Sequence, residues 1–119
     1  MRFTINLAPI TKKNHQQIVK AKGRYMVIPS KQFKEYEKAC AEFMPEIETI
    51  DYPVTLTCSY YMPTRRKVDI TNLLQATCDV LVKYKVISDD NNEIICSVDG
   101  TRVFYDKENP RTEVELTAY

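Results

Sequence analysis

Residues 53–82 constrain this chain most, because one hydrophobic period gives way to another within them. From 53 to 62, Val54, Leu56, Cys58 and Tyr60 alternate with Thr55, Thr57, Ser59 and Tyr61, the period-two signature of a half-buried strand. A short basic connection, PTRRK, follows, and the period then changes. At ~100° per residue, Ile70, Leu73, Leu74, Thr77 and Leu81 gather on one side of a helix predicted over roughly 70–82. Asp69, Asn72, Gln75 and Asp79 gather on the side opposite. Val68 and Leu73 flank Asp69 as a hydrophobic staple flanks an aspartate N-cap. A strand and a helix with one apolar side each, joined this closely, bury those sides in a common core.

The remaining elements read around that pair. Phe3, Ile5 and Leu7 predict a strand over 2–8, ended by Pro9. TKKNHQQIVKAKGR reads as a polar, basic loop, and Tyr25 and Val27 as a short extended piece stopping at Pro29. Ser30 then caps a helix carrying Phe33, Tyr36, Cys40 and Phe43 at helical spacing, with Lys34, Glu35, Lys38 and Glu42 outside. After VISDDNNEI come a strand at Ile94–Val98, an Asp99-Gly100 hairpin signal, a strand over 101–105, a turn at KENP and a last strand around Val114 and Leu116. The order β-β-α-β-α-β-β-β predicts one α/β (α+β) domain over 1–119, a mixed sheet with two main helices packed on it.

With 119 residues, 44% of them apolar, the chain has enough material for one core. No apolar run approaches the ~20 residues a bilayer crossing needs, and MRFTINLAPI lacks a signal-peptide core, so the expected location is the cytoplasm. Cys40, Cys58, Cys78 and Cys96 form no CxxC pair, and His15 is the single histidine, so the cysteines read as reduced packing residues rather than a zinc site. Net charge is only +1 but uneven: residues 1–38 hold nine Lys/Arg against two Asp/Glu, and residues 68–119 hold five against ten. Arg65, Arg66 and Lys67 add a basic group between them. Such a split suits a polyanion held beside a cation site, and equally suits solvated faces that pair within the fold.

The polar side of the second helix has an unusual composition. A solvated face commonly interleaves Lys and Glu, yet this one carries carboxylates and amides with no cation among them. A further acidic pair, Asp89-Asp90, follows the helix. Two carboxylate sources flanking one helix can converge on a hard cation such as Mg²⁺, which takes one or two protein carboxylates plus waters and phosphate oxygens. The same residues also serve as a helix cap and a turn.

KVDITNLLQATCDVL followed by VISDDNNEI resembles the RusA family of crossover-junction endodeoxyribonucleases, the Holliday-junction resolvases of bacteria and prophages. The family pattern is Asp-x-Asp-Asn-x-x-Lys, a later Asp-Ala-Leu on the same helix, then an Asp-Asp pair. Asp69, Asn72, Asp79-Val80-Leu81 and Asp89-Asp90 match it without a gap, and TKKN and IPSKQFKEYEKA resemble the family's N-terminal half. The resemblance implies a homodimeric fold and a branched-DNA substrate, the four-way junction of recombination and repair. It implies Asp69 and Asp90 as catalytic, metal-binding carboxylates. Asp89 is read as a further ligand, and Asn72, Asp79 and Thr71 as supporting residues. The expected cofactor is Mg²⁺, with Mn²⁺ as a substitute. Lys12, Lys13, Asn14, Arg65, Arg66 and Lys67 are the expected DNA contacts. Two positions depart: Thr71 stands where the family has its second acid, and Gln75, the expected catalytic donor, stands where the family has lysine. Those departures keep open an alternative, a family member that grips branched DNA with weak or lost cleavage.

Overall fold

The computed structural model describes residues 1–12, 16–29 and 31–119; the expected DNA contacts Lys13 and Asn14 and the predicted cap Ser30 lie outside them. Strand β4 (Val54–Met62) is the spine of the sheet, with Val54, Leu56, Cys58 and Tyr60 buried and the intervening residues half-buried on the other face. Its antiparallel neighbour β7 (Arg111–Ala118) sets Leu116 opposite Leu56, Val114 opposite Cys58 and Thr112 opposite Tyr60. One buried face thus runs across both strands. β1 (Arg2–Ile5) pairs antiparallel with β7 at the outer edge.

On the other side of β4 lie β5 (Ile95–Ser97) and β6 (Arg102–Tyr105), both parallel to it. The hairpin expected at Asp99-Gly100 is therefore corrected. β5 and β6 follow one another along one edge in the same direction. Asp99-Gly100 does form a turn, closed by the Thr101 N–H on the Val98 carbonyl at 3.1 Å, with Gly100 at φ +84°. Side chains bridge the interrupted ladder: Thr57 Oγ1 donates to the Asp99 carbonyl at 2.8 Å and the Cys58 N–H donates to Thr101 Oγ1 at 3.1 Å.

The basic loop expected after Pro9 is also revised. Gln16–Ala21 (β2) and Arg24–Pro29 (β3) pair antiparallel as a separate two-stranded arm. Lys22 and Gly23, at φ 52° and 76°, supply the two positive φ values of a tight hairpin turn.

Helix α1 (Lys31–Ala39) runs into a 3₁₀ turn, Cys40–Phe43; Phe33 and Cys40 are buried, and Tyr36 and Phe43 pack against the core. Helix α2 (Ile70–Lys83) buries Leu73, Ala76, Thr77, Val80 and Leu81, an i, i+3, i+4, i+7, i+8 stripe. Relative to the predicted stripe this one is rotated toward Ala76 and Val80, leaving Ile70 37% exposed in the first turn. The Tyr60 and Thr77 hydroxyls share a buried hydrogen bond of 2.7 Å that fixes α2 on β4. At the far end of α2, Tyr84 Oη donates to the Glu37 carbonyl at 2.6 Å and Lys83 Nζ pairs with the Glu37 carboxylate at 2.8 Å.

Lys85, at φ 58°, then turns the chain out of the helix. Val86 and Ile87 are buried, and a parallel bridge between Ile87 and Ile50 anchors the segment that carries Asp89 and Asp90. All four cysteines are free, with Cys40 and Cys58 in the core, as packing residues should be. Among the described residues no helix is long and apolar enough to cross a membrane.

Candidate active site

Asp69 is the N-cap of α2, as its chemistry predicts. Its Oδ1 accepts from the Thr71 N–H at 3.0 Å, from Thr71 Oγ1 at 2.6 Å and from the Asn72 N–H at 3.4 Å. Oδ2 accepts from Asn72 Nδ2 at 3.1 Å. A carboxylate at a helix N-terminus accepts from N–H groups that lack a partner within the helix and meets the positive end of the helix dipole. Thr71 and Asn72, read from the sequence as support for Asp69, are its immediate donors.

Further along the same face, Gln75 Nε2 donates to Asp79 Oδ1 at 3.1 Å. Asp79 Oδ2 lies 2.7 Å from Lys12 Nζ, whose side chain is 29% exposed and which also stands 5.8 Å from the centre of the Phe33 ring. This revises two readings. The acidic face has a cation after all, delivered from the loop after β1 rather than from the helix. Lys12, expected on a DNA phosphate, is paired with Asp79.

The Asp89-Asp90 segment is both a turn and an acidic site. Asp89 accepts from the Asp90 N–H at 2.7 Å and from Asn91 Nδ2 at 3.1 Å, while Asn91 Oδ1 accepts from the Glu93 N–H at 2.9 Å. Burial, a hydrogen bond that a protonated Asp90 makes to Asp89 and the charges of Asp89 and Asp79 all push the Asp90 carboxyl above its ordinary value, against one backbone hydrogen bond that lowers it. Burial, then the charges of Asp90, Cys58 and Asp79, raise the Cys78 thiol to about 12. Asp90 therefore lies within the electrostatic reach of residues 78 and 79 in the second half of α2.

Asp69, Thr71 and Asn72 thus form one group at the helix start. Lys12, Gln75 and Asp79 form the next along α2, and Asp90, after the helix, is electrostatically coupled to Asp79. Ten residues of helix separate Asp69 from Asp79, a rise of ~15 Å between their Cα atoms, although helical side chains lean toward the N-terminus and shorten that span. Among the described residues no three His, Cys, Asp or Glu side chains converge as a complete metal cage. What the face offers is oxygen: carboxylates, amide carbonyls and a hydroxyl, with Cys78 kept as a thiol. That donor set fits a hard, water-retaining ion such as Mg²⁺ or Mn²⁺ and not a thiolate-seeking one.

A family model described as "Endodeoxyribonuclease RusA" matches residues 6–117. The chain belongs to the RusA family. It is also similar to the crossover junction endodeoxyribonuclease RusA of Aquifex aeolicus (strain VF5), at 31% identity over 85 residues, a match covering 70% of this chain and 66% of that protein. The chain thus spans just under two thirds of that relative.

Against the RusA pattern, the Thr71 hydroxyl donates to Asp69 where the pattern has a second acid. The uncharged Gln75 reaches the same carboxylate that Lys12 pairs with. Of the other lysines near this helix, Lys83 is held by Glu37. Arg65, Arg66 and Lys67 are exposed just before the N-cap, and the Arg65 guanidinium lies 4.1 Å from the centre of the Tyr105 ring. Tyr105 carries no signal in the sequence, where RVFY reads as an ordinary strand; on this edge all four of its residues are exposed.

Proposed function

We propose that this RusA-family chain is a structure-specific endodeoxyribonuclease. In this reading it resolves four-way (Holliday) junctions as a homodimer in the cytoplasm, during recombination and repair. The observation that carries the reading is the electrostatic coupling of Asp90 to Asp79 on the acidic face of α2. A carboxylate disfavoured by burial and by the charges of Asp89 and Asp79 is one that a dication beside it would stabilise.

Asp69 and Asp90 are the carboxylates assigned to hold the metal, with Asp89 as a further oxygen donor. A bound Mg²⁺, or Mn²⁺ in its place, would supply charge at the scissile phosphate and a more acidic water. Thr71 and Asn72 orient the Asp69 carboxylate through the hydrogen bonds they donate to it. Gln75, oriented by Asp79, offers a neutral donor to a phosphate oxygen, and Lys12 brings the positive charge that Gln75 lacks. Arg66 and Lys67, with Lys13 and Asn14, hold flanking phosphates and contribute salt-sensitive affinity without reading sequence. A junction with two-fold symmetry calls for two symmetric nicks, hence one site in each subunit of a two-fold dimer.

A second reading, a branched-DNA binder with weak or lost cleavage, is favoured by the Thr71 hydroxyl, which occupies Asp69 without adding a carboxylate. Incubating a synthetic four-way junction with the chain in Mg²⁺ separates the two. The nuclease yields paired symmetric nicks that vanish in Asp69→Asn and Asp90→Asn while junction binding persists. Tight binding with no product in either Mg²⁺ or Mn²⁺ selects the binder.

A further inference from the structure

Among the described residues β6 pairs with β4 alone, and its outer edge carries an aromatic and cationic surface that the catalytic reading leaves unused. Val103, Phe104 and Tyr105 are 38%, 41% and 40% exposed, although a β-strand of this composition ordinarily buries one face. On one face Phe104 stacks on Tyr61 with ring centres 5.0 Å apart and planes 18° from parallel, and the Arg111 guanidinium lies 3.8 Å from the Tyr61 ring centre. The Arg65 guanidinium lies 4.1 Å from the Tyr105 ring centre. Met62, Thr64, Arg65, Arg66, Val103 and Tyr105 line an open recess of about 290 Å³ at this edge. Arg65 and Arg66 stand four and three residues before Asp69, so the recess opens immediately upstream of the N-cap of α2.

We infer that this recess is a stacking site for unpaired DNA bases at a branch point. The argument for nucleic acid over another occupant is charge together with shape. An exposed aromatic ring offers a π-face to any base, and a guanidinium beside it offers both a stacking plane and a positive charge for the adjoining phosphate. Arg66, also exposed on the rim, adds a second cation for the backbone. A purely apolar contact between protein copies gains little from arginines left on its aromatic rings. Paired bases inside a duplex cannot reach Tyr105, whereas a branch point has bases that can leave the stack at low cost. The recess thus discriminates branched from continuous DNA without reading sequence, and it places the opened strand next to the catalytic helix. The inference rests on the proposal that branched DNA is the substrate, but it concerns binding and needs no cleavage.

The test is equilibrium binding in EDTA, where no metal-dependent cutting occurs. The probes are a four-way junction carrying 2-aminopurine at its branch point and a continuous duplex of the same length. The chain is expected to bind the junction and change the 2-aminopurine fluorescence. Tyr105→Ala should weaken junction binding on the order of tenfold, abolish the fluorescence change and leave duplex binding within about twofold, because duplex affinity is mainly phosphate contact. Tyr105→Phe, which keeps the ring, should behave as the unaltered chain, and a thermal melt checks that each variant is folded. Equal junction binding by Tyr105→Ala overturns the inference, as does an equal loss on junction and duplex. So does a variant that turns monomeric by light scattering while a monomeric level of the unaltered chain binds no better, which would make the edge a contact between copies. If the unaltered chain binds neither DNA, the substrate proposal itself falls.

Discussion

Lys12 Nζ lies 2.7 Å from the Asp79 carboxylate, so a loop that follows the first strand is tied to the polar face of α2. The partner carboxylate also accepts from Gln75. An ammonium is thereby held beside the one helix position where the RusA pattern has lysine and this chain has none.

Lys12→Met is expected to slow single-turnover junction cleavage by ~10²–10³-fold, the usual loss when a transition-state donor is removed. Because both partners are partly exposed, the pair itself contributes little to stability, and unfolding free energy should change by less than ~1 kcal/mol. Lys12→Arg should recover part of the rate. Cleavage unchanged in Lys12→Met would assign the lysine to holding the loop alone.

Asp90 gives a pH prediction whose sign follows from its neighbours. Its carboxyl is raised from 3.8 in the fold by burial and by Asp89 and Asp79. The folded state therefore binds a proton more readily than the unfolded chain. Stability falls as pH rises from the unfolded value to the raised one, and is flat outside that window. Without divalent metal, Asp90→Asn should be more stable than the unaltered chain at neutral pH, with the gain disappearing in acid. Thermal melts from pH 3 to pH 7 measure this; a variant less stable at neutral pH would show that Asp90 serves the fold rather than the site.

Tyr60→Phe removes the buried hydrogen bond that seats α2 on β4. Thr77 Oγ1 retains the Leu73 carbonyl at 3.1 Å, so no buried hydroxyl is stranded. The expected loss is ~0.5–1.5 kcal/mol by urea unfolding, and smaller in a Thr77→Val background. An equal loss in both backgrounds would mean the two hydroxyls are not coupled.

Gly100→Ala strains the turn between β5 and β6. The backbone there is left-handed, and an added Cβ would lie 3.2 Å from Thr57 Cγ2. A loss of ~1–2 kcal/mol is expected from the conformation alone. No change in the urea midpoint would contradict the constrained turn.

How much was legible beforehand tracks where each interaction lies. β4, β7 and α2 each have one apolar face, and the period of that face identifies the element. The Asp69 cap was legible because its donors, Thr71 and Asn72, are its own neighbours. The Asp99-Gly100 signal marked a real turn, but a turn does not specify the next partner; β5 and β6 both pair with β4 instead of each other. Of the β2–β3 arm the sequence shows an extended piece at Tyr25 and Val27 but a loop at β2, because the arm forms its own small sheet and strong charges at Lys20, Lys22 and Arg24 obscure its pairing. The Lys12–Asp79 pair joins distant parts of the chain, and nothing local to either residue announces it.

The most direct test of the central claim maps where a divalent ion rests. Fe²⁺ is exchanged for Mg²⁺ in the junction complex, and ascorbate and peroxide generate hydroxyl radicals that cut the protein backbone near the metal. One ion shared by Asp69 and Asp90 predicts cuts both at residues 69–72 and at residues 89–91, suppressed together by excess Mg²⁺. Cutting confined to one of these segments, or none above background, would contradict it.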